Sequence, residues 1–192
     1  MSNENKKRGK LIVYTGCSGV GKGTIMEYLL KEFPELQFSV SATTRDPRPG
    51  EEHGVHYFFI THDEFNRMIE NDEFLEHAVY CENQYGTPRK IVEDKLSEGI
   101  NVILEIEVVG GTNVISRFPE CVSIFILPPS IEELGRRLRK RGTEEEEVIL
   151  KRLAQAEEEI KSAPLYKYQV INDKLEVAVD EVISILHKEF SE

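Results

Sequence analysis

The run Gly16-Cys17-Ser18-Gly19-Val20-Gly21-Lys22 constrains this chain more than any other feature. It lies between the apolar stretch Leu11-Ile12-Val13-Tyr14-Thr15 and a helix-forming stretch expected from Thr24 to Phe33, ended before Pro34. A buried strand that turns through glycines directly into a helix brings successive backbone N–H groups together with no Cβ atoms in the way. The helix dipole adds to that cradle, and Lys22 supplies a mobile cation for phosphate oxygens. Gly16, Cys17, Ser18, Gly19, Val20, Gly21, Lys22, Gly23 and Thr24 are therefore the candidate site for a nucleoside triphosphate. The position after the lysine, commonly a Ser or Thr that reaches Mg²⁺, is Gly23. The Thr24 hydroxyl is the candidate for that role.

Short β-branched runs alternate with helical stretches along the rest of the chain, as in a parallel sheet flanked by helices. Val102–Ile106, Ser123–Leu127 (stopped by Pro128-Pro129) and Tyr168–Ile171 read as further strands. Leu175, Val179, Val182, Ile183 and Leu186 recur at helical spacing, so the tail is an amphipathic helix. Between Phe38 and Ser97 the rhythm changes to short aromatic-rich runs such as Tyr57-Phe58-Phe59-Ile60 and turn signals around Asn83 and Gly86. That segment reads as a small, mainly β lobe inserted into an α/β core.

With 40% hydrophobic and 31% charged residues, the chain has the composition of a folded globular protein. A net charge of −11 disfavours a general nucleic-acid surface, yet Arg136, Arg137, Arg139, Lys140 and Arg141 cluster just before Glu144–Glu147. Local arginines on an acidic protein suit a small anion. No apolar run is long enough to span a bilayer. The polar, basic start of the chain reads as a solvated tail (1–8), and the protein is expected in the cytoplasm. Cys17, Cys81 and Cys121 are too few and too scattered for a disulfide framework and read as unpaired thiols. His53, His56, His62, His77 and His187 show no triad or metal spacing.

Arg45 and Arg48 lie three apart in the proline-stiffened stretch Ser41-Ala42-Thr43-Thr44-Arg45-Asp46-Pro47-Arg48-Pro49-Gly50-Glu51, able to grip one phosphate with fork-shaped donors. This stretch resembles the GMP-binding signature of guanylate kinases, and Gly21-Lys22-Gly23-Thr24 is a loop variant similar to that of nucleoside-monophosphate kinases. The resemblance runs in order from Gly9 to about His187. It takes in Gly54-Val55-His56-Tyr57-Phe58, Glu73-Phe74-Leu75-Glu76, Tyr85-Gly86-Thr87, Arg141-Gly142-Thr143 and Val170-Ile171-Asn172-Asp173.

The resemblance implies a three-layer parallel-sheet P-loop kinase core (9–37, 98–134, 158–188), a small mixed β GMP-binding lobe (38–97) and a helical lid (135–157). It implies transfer of the ATP γ-phosphoryl group to GMP, and to dGMP, with Mg²⁺ as cofactor. Arg45, Arg48, Tyr57 and Tyr85 would surround the GMP phosphate, and Ser41, Glu76 and Thr87 the guanine. A carboxylate at Glu76 can accept from the ring N–H and exocyclic amine of guanine, whereas adenine presents a bare ring nitrogen there. That mismatch is worth roughly 10² in discrimination. Lys22, Arg45, Arg137, Arg141 and Arg152 would neutralise the transferring group. Arg136, Arg139 and Lys140 include plain solvated charge, and the Glu144–Glu147 run suits a helix N-terminus.

Glu105 and Glu107 are expected on one face at the end of a strand, where open α/β sheets place ligands. They would help hold GMP and the hydrated Mg²⁺, with Thr24 and Glu105 as its candidate ligands. The family more often has aspartates there, followed by Gln-Gly where this chain has Val109-Gly110. Cys17 stands where the family usually has proline. It reads as a tolerated small residue, although a thiol beside a helix N-terminus can have a lowered pKa and oxidise. A non-catalytic scaffold domain of the same fold would lack a working phosphate loop, whereas Lys22, Gly16, Gly19 and Gly21 are all present. A kinase for another monophosphate is the alternative among enzymes. The expected partners are ATP and GMP, without nucleic acid or membrane, in a monomer or homo-oligomer.

Overall fold

The computed structural model describes residues 7–80, 82–142 and 145–191; Cys81, Thr143, Glu144 and most of the N-terminal tail lie outside the described residues. The chain begins β1 (Leu11–Gly16), α1 (Lys22–Glu32), β2 (Gln37–Phe38), β3 (Ala42–Thr43), β4 (Phe58–Phe59) and α2 (His62–Glu70). It continues β5 (Phe74–Tyr80), β6 (Asn83–Pro88), α3 (Arg89–Ser97), β7 (Val102–Glu105) and α4 (Val108–Arg117). Last come β8 (Val122–Leu127), α5 (Ile131–Arg141), α6 (Glu146–Ile160), β9 (Tyr168–Ile171) and α7 (Leu175–Ser191).

The fold is α/β, as expected. A five-stranded parallel sheet has the order β2-β7-β1-β8-β9, and a mixed four-stranded sheet has the order β4-β3-β6-β5. Every residue of β1 is buried, as are the first three of β7 and the first five of β8. Such continuous apolar runs mark strands covered on both faces. The chain divides into two compact units: residues 1–12, 35–105 and 109–121, and residues 13–34, 106–108 and 122–192.

In the first unit, β2 pairs with β7 in parallel, and the mixed sheet carries α2 on a small core of Ala42, Phe65 and Phe74. Two helices here were not anticipated. α2 begins at Thr61, whose hydroxyl accepts from the Glu64 N–H at 3.2 Å, with Asp63 and Glu64 in the first turn. Thr-x-x-Glu ahead of Phe65 is a capping signature that was legible in the sequence. α3 starts after Pro88 and buries Val92 and Leu96.

In the second unit, β8 pairs with β9, and α7 packs on α1 and β9 with Ala178, Val179, Val182 and Leu186 buried. α1 starts two residues earlier than expected, at Lys22. Gly21 takes the left-handed conformation (φ 100°) at the N-cap and completes the turn, which leaves Lys22 and Gly23 free to be helical. β7 ends at Glu105, one residue early, and the Ile106 carbonyl that follows accepts from the Thr15 hydroxyl at 2.7 Å. Glu107 therefore lies beyond the strand, and two-residue alternation does not put it on a shared face with Glu105.

Candidate functional site

The phosphate-loop residues are grouped within the second unit. Gly19 and Gly21 both have φ near 90–100°, and a Cβ on Gly21 would lie 2.6 Å from Asn172 Nδ2. Asn172, buried, donates from that nitrogen to Val20 O at 2.8 Å, so a residue at the end of β9 holds the crown of the phosphate loop. Lys22 Nζ donates to Gly16 O at 2.6 Å and to Cys17 O at 3.3 Å, and Tyr14 Oη donates to Lys22 O at 3.2 Å. The ammonium is thus tethered over the loop it serves. Thr24 is exposed on the first turn of α1.

A cavity of about 520 Å³ opens beside the loop, bounded by Gly19, Thr24, Arg136, Arg137, Lys140 and Asp173 among others. Arg137 donates through Nη1 to Asn172 O at 2.8 Å, through Nη2 to Asp173 O at 3.1 Å, and through Nε to Glu133 at 2.9 Å. Arg136 and then Arg137 hold the Glu133 carboxyl at about 2. Arg139 is paired with Glu146 on α6, which begins in the acidic run as expected. Arg136 and Lys140, expected as solvated charge, also form part of the cavity wall. Arg152 is half-buried on α6; Arg141 closes α5, and its side chain lies outside the described residues.

Cys17 bears on the alternative of an oxidisable thiol. Its side chain is fully buried, with Sγ directed to Ala156 O on α6 at 3.7 Å, and burial pushes the thiol up to about 12. Desolvation, and then the Glu159 carboxylate, outweigh the nearby Lys22 ammonium, so the protonated thiol is favoured.

The residues of the arginine signature, with Tyr57, Glu76, Tyr85 and Thr87, are grouped within the first unit. Arg45 makes a bidentate pair with Glu51 (Nη1 to Oε2 and Nη2 to Oε1, both 3.0 Å) and also donates to Asp46 O at 2.7 Å. Its guanidinium lies 5.6 Å from the Tyr57 ring centre and 5.7 Å from that of Phe59. Glu51 also accepts from the Arg48 N–H at 2.7 Å, and these two partners hold its carboxyl at about 2. Tyr57 and Tyr85 meet edge to face at 6.1 Å. Burial pushes the Tyr57 phenol up, and Glu105, exposed at the end of β7, is among the charges that reach it.

Glu76 is only 6% exposed, and the wholly buried Thr87 opposite it on β6 donates to its Oε1 at 2.7 Å. Burial raises the Glu76 carboxyl above the usual range, with the Thr87 hydrogen bonds pulling the other way. Ser41 is half-buried, and its carbonyl accepts from the Phe58 N–H at 2.8 Å, which places it on the same small sheet.

Arg45, Arg48, Tyr57, Tyr85, Glu76 and Thr87 thus share one lobe, and the loop residues share another unit with Arg137 and Arg152. Sequence reasoning missed Glu51, Asn172 and Glu159. Glu51 closes the arginine signature, and Asn172 stands in the matched run Val170-Ile171-Asn172-Asp173. Glu159, on α6, is raised by burial and is reached by Glu107, Lys22 and the Ser18 N–H. An acid among many in a helix gave no signal of that position.

The sequence profile described as guanylate kinase matches residues 8–189. A guanylate kinase of Desulfitobacterium hafniense is 51% identical over 181 residues, covering 94% of this chain and 90% of that protein. One from Synechocystis is 46% identical over 187 residues, covering 97% and 98%. The crystal structure of guanylate kinase from Anaplasma phagocytophilum superposes with a TM-score of 0.75 at 34% identity, covering 97% of this chain and 89% of that one. A shikimate kinase from Bacteroides thetaiotaomicron, at 18% identity and a TM-score of 0.51, shares the fold. On matches that span almost the whole chain, this protein belongs to the guanylate kinase family.

Proposed function

We propose that the chain phosphorylates GMP, and dGMP, to the diphosphate by direct in-line transfer from ATP in the cytoplasm. The observation that carries the acceptor identity is Glu76, a carboxylate in a nearly dry pocket whose described partner is the Thr87 hydroxyl. A buried carboxylate needs donors, and the adjacent ring N–H and exocyclic amine of guanine are two in a row. Ser41 and Thr87 complete that end.

Arg45 and Arg48, with Tyr57 and Tyr85, take the acceptor phosphate. Glu51 sets the Arg45 fork before any ligand arrives, so less side-chain freedom is lost on binding. On the donor side, the loop N–H groups and Lys22 hold the β and γ phosphates, and Arg137, Arg141 and Arg152 neutralise charge as it spreads over the transferring group. Phosphoryl transfer asks little of a protein beyond positioning and charge. No nucleophile is assigned, so no covalent enzyme intermediate is invoked. The lid segment 135–157 would keep water from intercepting the phosphoryl group.

Mg²⁺ fits this donor set. The ion keeps several waters and leans on substrate phosphates, which suits the Thr24 hydroxyl and the Glu107 carboxylate. No cluster of three or more His, Cys, Asp or Glu is arranged for a metal among the described residues. Bound, it would supply charge neutralisation at the ATP phosphates.

ADP release measured across GMP, dGMP, AMP, CMP and UMP tests the reading. GMP and dGMP should turn over and AMP should lag by roughly 10² or more. A preference for AMP would overturn the assignment of Glu76.

A further inference from the structure

Strand β5 breaks its own alternation. Phe74, Leu75 and Glu76 are all buried in succession, whereas a regular strand buries every second residue. The pairing with β6 explains this: Phe74 faces Pro88 and Glu76 faces Thr87, with the register shifting between Phe74 and Glu76. A bulge at Leu75 therefore turns Glu76 onto the face it shares with Thr87. Without the bulge, a one-residue slip would send Glu76 to the opposite face.

Among the described residues β5 is also an edge strand, with no strand beyond it to donate to its outer carbonyls. Two arginines do so instead. Arg117, the last residue of α4, donates from Nη1 to Leu75 O at 3.2 Å, and Arg89, the first of α3, donates from Nη2 to Phe74 O at 3.1 Å. Both converge on Asp72: Arg89 through a short pair (3.0 and 2.9 Å), Arg117 at 3.8 Å. Asp72 itself holds a left-handed backbone (φ 52°) two residues before the strand. The ion pairs are exposed enough to be weak by themselves, but the bonds to the bulge carbonyls reach a part-buried backbone.

We propose that Arg117 is a positioning residue for guanine selection: with Arg89 and Asp72 it clamps the Leu75 bulge that aims Glu76. This rests on the reading of Glu76 as the guanine-recognising carboxylate. Inosine monophosphate is the discriminating probe, since it is GMP without the 2-amino group. With the clamp loosened, the Glu76 contact to that amine weakens, while the donor half is untouched.

The experiment compares kcat and KM for GMP, IMP and ATP in the wild type, Arg117→Ala, Arg117→Lys and Glu76→Gln. In Arg117→Ala the preference for GMP over IMP should fall about tenfold, the scale of one charge-assisted hydrogen bond, through the KM for GMP. The KM for ATP should stay at the wild-type value. Arg117→Lys keeps a donor for Leu75 O and should retain most of the preference. If Arg117→Ala does not fold, Arg117→Met keeps the aliphatic stem and carries the same comparison. An unchanged GMP-to-IMP preference, or equal rises in the KM of GMP, IMP and ATP, overturns the clamp. Glu76→Gln separates the two ideas. If it lowers the preference and Arg117→Ala does not, the clamp alone falls; if it leaves the preference intact, the guanine reading falls with it.

Discussion

Glu76 shows how one side chain carries opposing demands. Burial raises its carboxyl, so across a window above the ordinary carboxylate range the folded chain binds more protons here than the unfolded chain. Stability from this residue is therefore present at acid pH and lost as pH rises through the folded value. Glu76→Gln removes the effect while leaving an oxygen for Thr87. Its unfolding free energy, measured in urea, should match wild type near pH 4 and exceed it at neutral pH. The KM for GMP of the wild type should also rise as pH falls through that same raised value, since a protonated carboxyl loses acceptor capacity. Cys17 is the second case. A thiol held at about 12 is almost wholly protonated at neutral pH, and only the thiolate reacts. Peroxide should therefore inactivate the wild type and Cys17→Ser at equal rates; protection of the serine variant would show that the thiol is accessible after all.

Among the elements, β6 has little room at Gly86. A Cβ on Gly86 would sit 2.8 and 2.9 Å from Phe74 Cδ1 and Cε1, and 3.1 Å from Phe65 Cζ. Those two rings are stacked at 4.5 Å in the lobe's core and cannot swing away as a surface side chain could. Gly86→Ala should cost about 1–3 kcal/mol by overpacking, read as a lower denaturant midpoint, with a higher KM for GMP because Tyr85 and Thr87 flank it. Elsewhere, α5 shows how position along a helix sorts like residues. Of its arginines, Arg137 turns to the carbonyls of Asn172 and Asp173, while Arg136 and Arg139 pair with Glu133 and Glu146. Composition marked this cluster as basic; only the partners distinguish its members.

For the whole molecule, the proposed function assigns each substrate residues in a different compact unit, and hydrogen exchange tests this. GMP alone should protect amides within residues 41–87, and ATP alone those within 16–24 and around 172; protection of both sets by either nucleotide alone would contradict the assignment. The strand–loop–helix run at Leu11–Glu32, the parallel sheet and the C-terminal helix were legible in the sequence, because buried runs and helical spacing are local patterns. The lobe's helices were less so: Thr61 signalled α2, whereas α3 follows a proline in a mostly polar stretch. What only the tertiary structure decided is the working state of the polar groups. Cys17 is buried against a helix residue 139 positions away in the chain, and Asn172 braces a loop 152 residues distant. Glu76 is aimed by a bulge held by Arg89 and Arg117. Local sequence sets which groups are present and which segments are helix or strand. Burial and long-range partners set charge, direction and reactivity, because desolvation depends on everything that packs around a group and not on its neighbours in the chain.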